Sequence, residues 1–126
     1  MTESELKQVY NLIKAGAKEG KLLPRSMAEL RKVKNSFFLS YYDGGKVYAC
    51  ASLEIYTKRL AEIRSLYVLP KYRGKGIGRA LIDECITRAK KRHVKEIVAV
   101  TDKIELFREF GFTDDIKGQQ CMFLKL

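Results

Sequence analysis

The spacing of apolar positions changes several times along the chain, and each change marks an element. Leu6, Val9, Tyr10, Ile13 and Ala17 recur at the three- and four-residue interval of one helical face. Thr2 followed by Glu5 is a capping-box pattern and Gly20 a stop, so a helix is predicted over about 3–19. Ser26 and Glu29 repeat the capping pattern for a short helix reaching about Val33. The period then falls to two. Phe37 to Tyr42 meets the turn signal Asp43-Gly44-Gly45, and Lys46 to Tyr56 follows, with Val47, Ala49, Ala51, Leu53 and Ile55 assigned to one face. That is a β-hairpin. Leu60 to Leu69 reads as a further strand, ended by Pro70.

Helical spacing returns with Ile77, Leu81, Cys85 and Ala89 beside Ile82 and Ile86, and closes in Lys90-Lys91-Arg92, the charge that a helix C-terminus favours. Glu96 to Thr101 is a short apolar strand. Asp102 is expected to cap a last helix holding Ile104, Phe107 and Arg108 before Gly111, and Gln120 to Leu124 reads as a final strand. Two helices, a run of antiparallel strands and one strand–helix–strand crossover predict an α/β (α+β) fold: a mixed, mostly antiparallel sheet flanked by helices. At 126 residues, below the ~150 of a typical unit, residues 1–126 form one domain.

Composition narrows the partners. Lysine and arginine total 25 against 15 acidic residues, a net charge of +10. That excess suits nucleic acid, an acidic membrane surface or a phosphorylated small molecule. No apolar run approaches the ~20 residues a bilayer requires, and Met1 to Lys7 is charged, so a cytoplasmic domain is expected. Cys50, Cys85 and Cys121 are odd in number with no Cys-x-x-Cys, and read as buried small hydrophobes in a reducing compartment. His93 is the only histidine, which argues against a histidine-based metal site or a Ser-His triad; no metal is expected.

The chemistry concentrates in Leu66-Tyr-Val-Leu-Pro-Lys-Tyr-Arg-Gly-Lys-Gly-Ile-Gly-Arg-Ala-Leu81. A strand and a turn lead to Gly74, Gly76 and Gly78 at the start of an amphipathic helix. Glycines let a ligand approach the backbone, and the first helical turn offers unpaired N–H donors and a positive partial charge. Arg73, Lys75 and Arg79 add cations. The spacing is neither the dinucleotide fingerprint nor a Gly-x-x-x-x-Gly-Lys-Ser/Thr phosphate loop. The plainer reading is a glycine-rich turn with exposed basic residues.

Arg73-Gly-Lys-Gly76-Ile-Gly78 resembles the Arg/Gln-x-x-Gly-x-Gly/Ala coenzyme A loop of the GNAT superfamily of acetyltransferases. Ala61-Glu-Ile-Arg-Ser-Leu-Tyr-Val68 before it and Leu106-Phe-Arg-Glu-Phe-Gly-Phe112 after it are similar to that family's order and spacing. The resemblance implies that backbone N–H groups from Gly74 through Ile77 to Arg79 grip the pyrophosphate of acetyl-CoA, used as a co-substrate. It implies that Leu66, Tyr67 and Val68 line the pantetheine arm where two strands splay, with Asp102, Phe107 and Arg108 as further contacts. GNAT domains usually begin with a strand, and none is predicted before the first helix. Either that strand is missing or another chain of a homodimer supplies the edge.

Glu19-Gly-Lys-Leu-Leu-Pro-Arg-Ser-Met-Ala-Glu-Leu30 resembles the Leu-Leu-Pro-Arg-Ser segment of N-acetylglutamate synthase domains, whose product feeds arginine biosynthesis. That resemblance implies that Arg25 pairs with a carboxylate of the acceptor, with Ser26 adding a hydrogen bond and Arg64 nearby. The alternative is that Ser26 caps a helix and Arg25 is solvated. The tail departs from that subfamily, offering only Lys117 and Lys125 where further basic residues are usual. Glu62 stands where some histone acetyltransferases of the superfamily carry a catalytic glutamate, and alternation assigns Glu62, Arg64, Leu66 and Val68 to one face. It is either the base that frees the acceptor amine or a surface ion pair. Phe107 replaces the usual thiolate-protonating tyrosine, leaving water or Tyr67 for that step.

Three functions follow: acetyl transfer to a small amino acid such as glutamate; acetyl transfer to a protein N-terminus, lysine or other amine; and a non-catalytic basic domain binding CoA or nucleic acid. The aromatics Phe37, Phe38, Tyr41, Tyr42 and Tyr48 interleave with lysines, as nucleic-acid stacking surfaces do, but the hairpin explains half of them as core. Nucleic acid and membrane are therefore not the expected partners; a small-molecule amine is.

Overall fold

Thr2 starts the first helix by the expected reciprocal bonds: its hydroxyl accepts from the Glu5 N–H at 3.1 Å, and the Glu5 carboxylate accepts from the Thr2 N–H at 2.7 Å. In the computed structural model, which describes residues 1–126, helix α1 spans Glu3–Lys18 and α2 spans Met27–Lys32. Strands β1 (Phe37–Tyr42), β2 (Lys46–Ile55) and β3 (Leu60–Val68) follow in antiparallel order. Helix α3 (Ile77–Lys91) crosses over to β4 (Glu96–Ala99), which pairs parallel with β3, and α4 (Ile104–Glu109) comes last. The sheet order is β1-β2-β3-β4, so β1 is an edge strand, and α1 is the first element of residues 1–126.

Helices cover both faces of the sheet. Leu6, Val9 and Ile13 of α1 and Leu30 of α2 pack with Phe37, Cys50 and Tyr67. Leu81, Ile82, Cys85 and Ala89 of α3 pack with Ala49, Ala51, Leu53 and Ile63 on the other face. Each such leucine or isoleucine contributes about 1.5–3 kcal/mol by leaving water. No helix is long and apolar enough to cross a membrane.

Two bulges shift the alternation that the sequence suggests. The register slips between Ser40 and Tyr41, so Val47 turns to the α1 face, away from Ala49, Ala51 and Leu53. In β3, Ser65 takes a left-handed φ of 56° at a second slip. Glu62 and Arg64, opposite Glu54 and Ser52, therefore share the α1 face with Tyr67, whereas Leu66 and Val68 turn toward α3. The single face expected for Glu62, Arg64, Leu66 and Val68 is thus split at the bulge.

Three further expectations are corrected. The N-cap of α4 is Lys103, not Asp102, because the Thr101 hydroxyl takes the Lys103 N–H at 2.9 Å in a local turn. The tail forms no strand: Lys117 and Gly118 adopt positive φ and close a tight loop through the Ile116–Gln119 bridge. Gln120 to Leu126 is left exposed with nothing to pair with. Cys121 in that tail is therefore exposed, while Cys50 and Cys85 are buried and burial pushes both thiols up to about 12.

Candidate active site

Gly74 and Gly76 both have φ +80°, and a Cβ at either would meet nothing within 4 Å. Backbone conformation, not crowding, requires glycine there, and the space above the loop is open. Gly76 is the N-cap of α3 and has no side chain to close it. None of the N–H groups of residues 74–79 donates to a protein acceptor. Six adjacent donors at the N-terminus of a four-turn helix fit a pyrophosphate.

The cations around this loop are not equally available. Arg79 is forked onto Glu109, both bonds 2.9 Å. Arg73 turns away: its Nε donates to the Val68 carbonyl at 2.9 Å, its Nη2 meets Glu19 at 2.9 Å, and its guanidinium lies over the Tyr67 ring. The Val68 carbonyl is accordingly taken. Lys75 has no carboxylate partner and sits over the Tyr72 ring, which stacks on both Tyr48 and Tyr42. Arg108 reaches only Asp114, at 3.6 Å near the tail.

Beyond the loop, β3 and β4 part company. Their pairing ends at Ile63↔Ala99, so the β4-facing main chain of β3 beyond that point has no strand partner. The resulting cleft is lined by Ser65, Leu66 and Tyr67 on one side and by Thr101, Asp102, Lys103 and Phe107 on the other, with Lys21 and Leu22 at its lip. Phe107 is buried and edge-on to Phe112 at 5.1 Å, so it anchors the cleft wall. Glu19 closes the end near the loop, accepting from both the Tyr67 hydroxyl (3.2 Å) and Arg73. The bond from Arg73 holds the Glu19 carboxyl below the usual carboxylate range, and burial and then Glu19 push the Tyr67 phenol up. Burial, then the charges of Lys21 and Arg73, pull Lys103 below an ordinary lysine.

The cleft meets a polar cluster at Ser65. Arg25, 7% exposed, enters from the segment before α2 and grips Glu54, 5% exposed, through Nη1–Oε2 (2.7 Å) and Nη2–Oε1 (2.9 Å). Its Nη1 also reaches the Ser65 hydroxyl and its Nε reaches Glu29. Ser52 donates to Glu54 at 2.7 Å and Arg64 stands 3.6 Å from it. Burial alone would raise the Glu54 carboxyl, but Arg25 and Ser52 together hold it below its usual value. Burial works against the Arg25 charge, and Glu54 more than offsets it. Ser26 caps α2, its hydroxyl accepting from the Glu29 N–H at 3.1 Å. Glu62, opposite Glu54 in the register, accepts from the Tyr56 hydroxyl.

The fold thus brings Leu66, Tyr67 and Phe107 to the cleft, next to the loop of Gly74–Arg79, and Arg25 and Arg64 to the cluster at its inner end. Glu62 lies across the strands from Glu54 and bonds only to Tyr56. Glu19, Lys21 and Ser65, which lie inside the quoted segments but were given no role, belong to the same region, as do Ser52, Glu54 and Lys103, which no motif marks. The visible signal was Glu54, the one acidic residue in β2. The larger concavity, about 360 Å³, lies beside β1 between Met1, Phe37 and Tyr41, away from these groups. No group of three or more His, Cys, Asp and Glu side chains converges as metal ligands would.

The acetyltransferase (GNAT) family model matches residues 6–112. An uncharacterized N-acetyltransferase of Chlorobaculum tepidum is 36% identical over 98 residues, covering 78% of this chain and 63% of its own length. An amino-acid acetyltransferase of Mycobacterium tuberculosis is 30% identical over 95 residues, covering 74% of this chain and 55% of its own. The chain therefore matches less than two thirds of these relatives' lengths. Among solved structures, N-acetylglutamate synthase from Neisseria gonorrhoeae, complexed with coenzyme A and N-acetyl-glutamate, superposes with a TM-score of 0.79 at 26% identity, over 86% of this chain and 26% of that one.

Proposed function

The chain belongs to the acetyltransferase (GNAT) family, and on that footing we propose that it moves an acetyl group from acetyl-CoA to the amine of a small acceptor, an amino acid such as glutamate. The observation that carries this reading is the row of unpaired N–H groups over residues 74–79, set directly beside the splayed β3–β4 cleft. The amino-acid acceptor is supported by two arginines at the inner end of that cleft and by the amino-acid acetyltransferases among the relatives. We place the reaction in the cytoplasm, where thiols such as Cys50 and Cys85 stay reduced.

In this reading the N–H groups of 74–79, with Lys75, hold the pyrophosphate, and the free edge of β3 pairs with the pantetheine arm. The acceptor's carboxylate meets Arg64 first, since its side chain is 28% exposed while Arg25 is already forked onto Glu54. Glu62 takes a proton from the acceptor ammonium, directly or through water, because only the neutral amine has the lone pair for attack. The amine nitrogen bonds to the thioester carbonyl carbon, the carbon–sulfur bond breaks, and water returns a proton to the thiolate. Tyr67 is a poor donor for that step, since its hydroxyl serves Glu19 and its pKa is raised.

Thiol release from acetyl-CoA, measured against a panel of amino acids, amines and lysine peptides, tests the proposal. Selective turnover of glutamate or a close relative, lost in Arg64→Ala, is expected. One observation favours the second reading, an N-terminal or lysine amine on a peptide: Glu54 neutralises Arg25, and Glu62 adds a second carboxylate to that face. Turnover of peptides alone would move the acceptor to that class.

A further inference from the structure

We propose that Lys103 is a self-acetylation site: with acetyl-CoA in the β3–β4 cleft and no acceptor present, the Lys103 amine takes the acetyl group itself. The inference rests on the cleft being the seat of the thioester arm, as argued above.

Lys103 is the N-cap of α4 and stands one helical turn before Phe107; both line the cleft across from Ser65, Leu66 and Tyr67. Its side chain is half-buried and forms no ion pair. Lys21 faces it from the segment after α1, and Arg73 faces it from the turn before α3. The acidic groups within reach are Asp102, exposed, and Glu19, whose carboxylate is already held by Arg73 and Tyr67. Burial first, then the two cations, lower its pKa, which raises the share of free amine that can attack.

The step balances with no further reactant. The Lys103 nitrogen bonds to the acetyl carbonyl carbon, the carbon–sulfur bond breaks, and the proton lost from nitrogen ends on the CoA thiol. The product is a neutral amide. The electrostatics that oppose an ammonium beside Lys21 and Arg73 do not oppose the amide, so the cluster favours the modified state. An acetylated Lys103 leaves its acyl group in the cleft and hinders the next acetyl-CoA. Self-acetylation would therefore slow the enzyme when acceptor is scarce.

The test incubates the whole chain with acetyl-CoA, without acceptor, and follows each lysine by peptide mass mapping. Lys103 should acquire an acetyl group about tenfold or more faster than the exposed Lys58 and Lys125, as held proximity requires. Excess CoA should protect Lys103 and leave those two unchanged. Pre-incubation with acetyl-CoA should slow later acceptor turnover in the wild type and not in Lys103→Arg. Labelling of Lys103 no faster than Lys58, or unaffected by CoA, would overturn the inference. Acceptor turnover without Lys103 labelling would remove this inference alone. The absence of both, with no effect of CoA on the melting temperature, would remove the acetyltransferase reading as well.

Discussion

Arg25 and Glu54 lock each other in a two-pronged ion pair, 2.7 and 2.9 Å, with both side chains almost wholly withdrawn from water. The guanidinium that sequence resemblance assigns to an acceptor is therefore spoken for before any acceptor arrives. A substrate carboxylate reaches Arg25 only by displacing Glu54, or meets the pair through Arg64, 3.6 Å from the same carboxylate.

Breaking the pair from one side should be costly. Glu54→Ala leaves the buried guanidinium with only the half-exposed Glu29, at 3.4 Å, as counter-charge, and a loss of about 3 kcal/mol is expected in urea unfolding. The double change Arg25→Met with Glu54→Leu removes both charges and should recover most of that loss. A double variant as unstable as Glu54→Ala would mean that the pair is not the source.

The same pair sets an acid limit. Glu54 is held below its unfolded value of about 4.3, so its folded form binds fewer protons than the unfolded chain. Its stabilisation is complete above about pH 4.3 and fades as pH falls through the lower folded pKa. Stability measured between neutral and acid pH should show this decline, and Glu54→Gln, with no carboxyl to titrate, should show a flatter one.

The three glycines at the start of α3, which the proposed function assigns to the cofactor, should separate by conformation. Gly74→Ala and Gly76→Ala force a side chain into φ +80° and should each cost about 1–2 kcal/mol. Gly78 lies inside α3, where an added Cβ would meet Leu106 at an ordinary 3.9 Å. Gly78→Ala should hold or gain stability by about 0.4–1 kcal/mol. If close approach of phosphate is what position 78 serves, that variant loses CoA affinity by on the order of tenfold. Calorimetric titration with CoA reads this directly, and unchanged affinity would leave Gly78 as a helix residue only.

The elements were legible because their signals are local. Thr2 with Glu5 and the Ile77–Ala89 stripe each lie within a few turns of one helix and form as their spacing requires. Ser26 with Glu29 forms only half of its capping box, because the Glu29 carboxylate meets Arg25 instead of the Ser26 N–H. The glycine loop was legible for the same reason. Non-local features were not. The bulge at Ser65 has no residue signature, yet it separates Leu66 and Val68 from Glu62 and Arg64. Glu54 meets Arg25 across 29 positions, and Glu19 meets Arg73 across 54. Nor did the apolar tail betray its lack of a partner, because Met122, Phe123 and Leu124 carry a strand's composition without a strand beside them.

Tyr67 offers a test of the leaving-group step. Its hydroxyl donates to Glu19 and its pKa is raised, so it holds its proton at neutral pH and is occupied elsewhere. Tyr67→Phe should keep kcat within about twofold while loosening the hold of Glu19 on the cleft end, seen as a modest rise in KM for acetyl-CoA. A fall in kcat near a hundredfold, with KM unchanged, would instead make Tyr67 the proton donor.

In the proposed reaction Glu62 is the carboxylate that acts as the base. Glu54, its neighbour across the strands, is neutralised by Arg25 and has its oxygens filled by Arg25 and Ser52. Glu62 is partly exposed, receives one bond from Tyr56, and has an oxygen left for an acceptor ammonium or a bridging water. Glu62→Gln keeps the shape and the bond from Tyr56 but cannot take a proton. Its kcat should fall by about 10²–10⁴-fold, with KM for acetyl-CoA close to wild type. Tyr56→Phe should cost far less, since it removes an orienting bond and no proton acceptor. Raising the pH supplies neutral amine from solution, so the Glu62→Gln defect should shrink at alkaline pH. A defect that stays constant with pH would assign Glu62 to positioning and return proton removal to water.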